Sequence, residues 1–195
     1  MAPRGRYRGG MTALYVLVAI VVVLLVFAVV LYNRMVRLRN EVDTGWANID
    51  VQLKRRNDLI PNIVEAVKGY AAHERGTFEA VTQARAAVAG AQGPAAAGEA
   101  DNLLTAALGK LFAVAEAYPD LKASENFLQL QNELSATEDK IAAARRYYNA
   151  TVLRFNNSIQ TFPAVLLAGM LGFTKREFFA AGEGDRALPE VSFQP

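Results

Sequence analysis

From Met11 to Tyr32 the chain runs for twenty-two residues without a charge or a proline, built almost wholly of Val, Leu, Ile and Ala. As a helix rising about 1.5 Å per residue it covers about 33 Å, which matches a hydrocarbon core of about 30 Å. Arg4, Arg6 and Arg8 precede the run and Arg34, Arg37 and Arg39 follow it, as cations flanking a membrane. A cleaved signal sequence has an apolar stretch of about 7–15 residues ending at a small-x-small site. Here the run is longer and passes from Leu31-Tyr32 straight into Asn33-Arg34. A buried helix of a soluble protein is the other alternative, and the length without charge argues against it. The run predicts an uncleaved single-pass anchor with membrane lipid as its first partner.

About 160 residues lie beyond the anchor, enough for one domain with its own core and too few for two. Residues 1–39 hold six Arg and no acid, whereas 40–195 hold 15 Lys and Arg against 19 Asp and Glu. The basic character therefore belongs to the membrane flanks. A mildly acidic domain gives no electrostatic reason to bind nucleic acid. With no cysteine there is no disulfide, thiolate chemistry or Cys-based metal site. Three arginines on either side of the anchor make the positive-inside count a tie, so the domain is open to either face.

Beyond the anchor the apolar residues recur at helical steps, with no alternating stretch long enough for a strand, which predicts an all-α fold. Met35, Leu38, Val42, Gly45 or Trp46, Ile49 and Leu53 carry the helix out of the membrane. Asp58 and Pro61 then mark a new helix start or a kink. A second segment, about 60–88, puts Ile60, Val64, Val67, Ala71, Phe78, Val81 and Val88 on one stripe. Residues 89–100, rich in Ala and Gly with Pro94, read as a loop with the next helix starting near its end. The third segment carries Leu104, Leu108, Leu111, Val114, Ala115 and Tyr118 and stops at Pro119.

The fourth segment, about 121–160, sets Phe127, Leu130, Leu134, Thr137, Ile141, Ala144, Tyr148, Thr151, Phe155, Ser158 and Phe162 at alternating steps of three and four. That 3.5-residue period is coiled-coil-like. Four such helices on short loops predict an antiparallel four-helix bundle after the transmembrane helix. The expected division is a basic segment 1–10, the span 11–32, the bundle 33–173 and an extended tail 174–195, in which Phe178, Phe179, Val191 and Phe193 dock.

Several ordered motifs resemble the LemA family of bacterial membrane proteins: WANIDVQLKRRNDLIPN at 46–62, VKGYAAHE at 67–74, AYPDLK at 117–122, ENF at 125–127, LQLQ at 128–131, ARRYYN at 144–149, then Phe162-Pro163 and Gly172-Phe173. The resemblance covers about residues 31–195. It implies a bacterial cytoplasmic (inner) membrane protein with one N-terminal anchor and an antiparallel four-helix domain, and it implies no catalytic residues. Family members are described with a very short N-terminus outside and the domain in the cytoplasm. This chain departs from that pattern with ten residues and three arginines before its anchor.

Candidate sites are few. His73 beside Glu74 lacks the second histidine or HExxH spacing of a metal site and reads as a surface or groove residue. Gly90, Gly93 and Gly98 lack the spacing of a phosphate loop. No catalytic, cofactor-binding or metal-binding residue is assigned. Lys54, Arg55 and Arg56 read as a solvated helix end, with a patch for phosphate or an acidic partner as the alternative. Trp46 reads as core, with an exposed aromatic anchor for a partner as the alternative. Asn149, Asn156 and Asn157 lie beside the seam of the fourth segment, where a polar residue fixes register between helices. Phe162, Leu166, Leu167 and Phe173 belong to a twelve-residue apolar stretch, too short to span a bilayer. It either docks on the bundle or contacts another subunit or lipid. The expected function is a non-enzymatic membrane scaffold or adaptor that self-associates and contacts an unidentified protein. A sensor module with a ligand groove is the alternative.

Overall fold

A computed structural model describes residues 6–179, with side chains from Met11 onward, and every regular element among them is helical. The elements are α1 (Arg6–Lys68), α2 (Arg75–Gly90), α3 (Pro94–Glu116), α4 (Pro119–Lys122), α5 (Glu125–Gln160) and α6 (Val165–Ala168). Arg4 and the tail residues Val191 and Phe193 lie outside the described residues. The chain divides into two units, 1–41 with 154–175 and 42–153 with 176–195.

In the first unit, every large apolar side chain from Met11 through Val30 is exposed. α1 is the one described helix long and apolar enough to cross a membrane. Farther along, Met35, Phe155, Ile159, Ala164, Ala168 and Phe173 are buried. Arg154 pairs with Glu41 at 3.3 Å between exposed groups.

The second unit holds one apolar cluster drawn from the end of α1 (Ile60, Ile63, Val64, Val67), from α2 (Phe78, Val81, Ala84), from α3 (Leu104, Leu108, Leu111), from α4 (Leu121) and from α5 (Phe127, Leu134). This cluster explains why the helix start that Asp58 and Pro61 offer as one alternative does not occur. α1 neither ends nor restarts at Asp58–Pro61, because Pro61 lies inside the helix. Proline there costs about 3 kcal/mol in lost hydrogen bonding and clash. Each neighbouring side chain gains about 1.5–3 kcal/mol on full burial, and Ile60, Ile63 and Val67 are all 0 % exposed. Packing wins. The break comes instead at residues 69–74, where Gly69 weakens the helix and Ala71, 1 % exposed, fastens the turn with its N–H on the Val67 carbonyl at 2.9 Å.

A correction concerns residues 89–100. The connection is only 91–93, because Pro94 is preset for a first helical position and the alanines after it are strong helix formers. Gly93 precedes it at φ 84°, a conformation that favours glycine. The α5 seam is buried at Phe127, Leu134, Thr137, Ile141, Tyr148, Thr151 and Phe155 and half-buried at Leu130, Ala144 and Ser158. It fails at Phe162, 80 % exposed, since the helix has ended at Gln160.

Gly45 permits close packing on α5: a Cβ there would lie 3.4 Å from the Tyr148 Cα. Beside it Trp46 is half-buried with its ring 6.0 Å from that of Tyr148. Asn149 does not join two helices. It holds the segment after α6, donating to the Phe179 carbonyl at 3.2 Å and accepting from the Phe179 N–H at 3.0 Å. Phe179 is 1 % exposed, while Phe178 faces outward. Tyr148 donates to the Glu177 carbonyl at 2.8 Å, and burial pushes its pKa up to about 12.

Candidate functional site

On α1 the buried positions Ile49, Leu53, Arg56, Ile60, Ile63 and Val67 alternate steps of four and three. Arg56 therefore occupies a core position in the middle of that stripe and is 1 % exposed. α3 repeats the pattern with Ala97, Asp101, Leu104, Leu108 and Leu111, which puts Asp101 inward at 4 % exposure. On α5, Glu138 follows the buried Thr137. The three helices thereby bring one guanidinium and two carboxylates together.

Arg56 Nη1 donates to Asp101 Oδ1. Nη2 donates to Thr105 Oγ1 at 2.8 Å and lies 2.8 Å from Glu138 Oε1. Thr105 in turn donates to the Asp101 carbonyl at 2.9 Å. Burial raises the pKa of both carboxylates above their ordinary values, with the Arg56 charge opposing it. Arg145 acts on both in the same sense as Arg56. Arg56 Nε and Gln52 Oε1 are buried and make no hydrogen bond among the described residues, at a cost of about 1–3 kcal/mol for each such group.

Beside this cluster lies a groove of about 430 Å³, within the size range of small-molecule sites. Leu108, Phe112 and Leu134 form its apolar wall, and Arg56, Thr105, Gln131, Ser135 and Glu138 supply polar groups. The guanidinium is already engaged on both Nη atoms, so it orients its neighbours instead of standing free for an anion. Among the described residues no group of three His, Asp or Glu side chains is placed to hold a metal ion.

The other candidate residues fall elsewhere. Lys54 and Arg55 are exposed while Arg56 is buried, so the three form no common patch, and the helix continues twelve residues past Arg56 to Lys68. Lys54 lines a separate hollow of about 320 Å³ with Trp46, Asp50, Asn57 and Asp58. His73 is exposed in the 69–74 turn. Phe162 and Leu166 are exposed, Leu167 is half-buried, and Phe173 is 5 % exposed. Arg34 and Arg37 are exposed, and the Arg39 guanidinium lies 5.5 Å from the centre of the Phe173 ring. Asn156 is buried and Asn157 exposed. Sequence reasoning missed Arg56 and Asp101 as core groups although their signal was present. A step of three from Leu53 reaches Arg56, and a step of three back from Leu104 reaches Asp101.

A model of the LemA family matches residues 45–193. The chain belongs to the LemA family. Arg56, Asp101, Thr105 and Glu138 all lie inside the matched region, and the uncharged run 11–32 lies outside it. Magnetosome protein MamQ 1 and MamQ 2 of Paramagnetospirillum magneticum are each 29% identical over 97% of this chain and 80% of their own length. Protein LemA of Metamycoplasma hominis is 30% identical over 82% of this chain and 74% of its own length.

Proposed function

We propose that this chain is a non-enzymatic, single-pass scaffold of the bacterial inner membrane, in which the anchor at Met11–Tyr32 carries an antiparallel four-helix bundle that contacts other proteins and further copies of itself. The observation that supports it most is the continuity of α1: one helix supplies both the exposed uncharged run and Ile60, Ile63 and Val67 of the core. Anchoring confines copies to two dimensions, where weak lateral contacts gain from effective concentration. The internal pairing of Arg56 favours a structural use of its charge over a chemical one. Relatives with magnetosome names and one named LemA resemble this chain about equally, which suits a role not tied to one substrate.

Crosslinking of the full chain in native membranes tests self-association. A ladder of dimers and larger species is expected, and monomer alone removes that part of the reading. Protease access to the domain in spheroplasts and in inverted vesicles assigns its side of the membrane.

The groove beside Arg56 favours a second reading, a sensor that takes a small ligand or peptide against Leu108, Phe112 and Leu134. Its test is a ligand-dependent rise in melting temperature of the full chain in detergent. No rise across a broad metabolite and peptide screen counts against it.

A further inference from the structure

Residues 162–173 carry no charge, and in the first unit they present two apolar faces. The inner face is docked: Ala164, Ala168 and Phe173 are 6 %, 3 % and 5 % exposed. The Phe173 ring lies 5.8 Å from that of Tyr32 and 6.4 Å from that of Phe155. The outer face is bare, with Phe162, Leu166 and Met170 at 80 %, 65 % and 85 % exposure and Val165 and Leu171 exposed beside them. Packing inside the unit holds the segment in place, so the bare face needs an occupant of its own. Apolar groups exposed together in this way mark a partner or a membrane surface.

The level of this face along α1 identifies the occupant. Leu31, Arg34 and Met35 share a small hollow with Ser158 and Thr161 to Ala164. The uncharged run ends at Tyr32 and the first charge after it is Arg34. Phe162 thus stands within about one helical turn, ~5.4 Å, of the end of the run. That is the depth where hydrocarbon gives way to headgroups, a zone several ångströms thick on each side of the bilayer. Arg34, Arg37 and Lys175 of the same unit are exposed and suit lipid phosphates. Apolar residues on one side and cations nearby are the makeup of an element lying in a membrane interface.

We propose that Phe162, Val165, Leu166, Met170 and Leu171 form a second membrane contact, a wedge seated in the bilayer interface beside the anchor. It rests on the reading of Met11–Tyr32 as a span. The chain has no cysteine, so single replacements Phe162→Cys, Leu166→Cys and Met170→Cys each carry one nitroxide label without disturbing a buried position. The full chain is reconstituted in vesicles of phosphatidylcholine and phosphatidylglycerol, with Val23→Cys as the span reference and Gln129→Cys as the water reference. Collisions with oxygen and with a water-soluble nickel complex are then measured.

Labels at 162, 166 and 170 are expected to gain oxygen collisions and lose nickel collisions relative to 129, as the label at 23 does. A water-like pattern at all three sites while 23 keeps its lipid pattern overturns the wedge and leaves the anchor standing. Loss of both collision types at the three sites means a protein neighbour, such as a second copy, and also overturns it. A water-like pattern at 23 overturns anchor and wedge together.

Discussion

Along α1, residues 11–32 expose nearly all of their apolar side chains, whereas between 49 and 67 a single stripe of Ile49, Leu53, Ile60, Ile63 and Val67 is buried, with Arg56 in its middle. Both stretches are regular helix, so backbone geometry does not distinguish them. In the first, no side chain needs to turn away from its surroundings, because hydrocarbon accepts apolar groups all round. In the second, water accepts only the polar face, and the stripe must find other helices. Arg56 is tolerated there because α3 and α5 bring Asp101 and Glu138 to it. An unpaired charge at either place is costly, and only the second stretch supplies partners.

The largest test of this comparison is Arg56→Ala. It leaves the buried Asp101 and the half-buried Glu138 without the guanidinium that pairs with both, and removing one partner of a buried pair costs about 3–5 kcal/mol. Thermal melting of the full chain in detergent, followed by circular dichroism, is expected to show that loss. Replacing the pair together, Arg56→Met with Asp101→Leu, should recover most of it if the cluster serves structure alone. Unrecovered stability would point to a wider network including Thr105 and Glu138.

Next comes a charge placed in the first stretch. Val23→Arg should oppose insertion by about 2.5–3.5 kcal/mol, read as loss of protein from alkali-washed membranes. The matching change on the exposed side of the second stretch, Val51→Arg at a residue 61 % exposed, should alter stability by no more than about 0.5 kcal/mol. Equal effects at the two positions would break the comparison. Tyr148→Phe removes the hydrogen bond to the Glu177 carbonyl and should cost about 1 kcal/mol. Faster trypsin cleavage after Lys175 and Arg176 would report the loosened segment.

The smallest expected effect is a slope. Burial raises the pKa values of Asp101 and Glu138 above 3.8 and 4.5, so folding favours their neutral forms. Their contribution is fully present below those values and is lost as pH rises through the raised ones. Glu138→Gln should therefore lose less stability than the parent chain between mildly acidic and neutral pH, by melting temperature across a pH series.

The helical class and most of the core stripes were legible because burial in a helix leaves a 3.5–3.6-residue period that needs no partner to be seen. Leu104, Leu108, Leu111, Phe127 and Leu134 were all expected inside and are. Helix ends were less legible. Pro61 carries a strong local signal for a break, yet whether it is obeyed depends on how much burial lies beyond it. The candidate site was the least legible part. Arg56 sits in a run of three cations, and residue type suggested a solvated surface while its phase along the helix pointed inward. Residue type prevailed in the reading, and phase prevailed in the fold.

By itself the sequence determined the uncharged run and its flanking arginines, the helical period and the family, since each is a property of residues near one another along the chain. Tertiary structure alone decided that Arg56, Asp101 and Glu138 share one cluster and that Asn149 holds Phe179. It also decided that the 162–173 segment turns Phe173 inward and Phe162 and Met170 outward. Those outcomes depend on groups tens of residues apart meeting in a medium where an unpaired charge or an unsatisfied polar atom is costly.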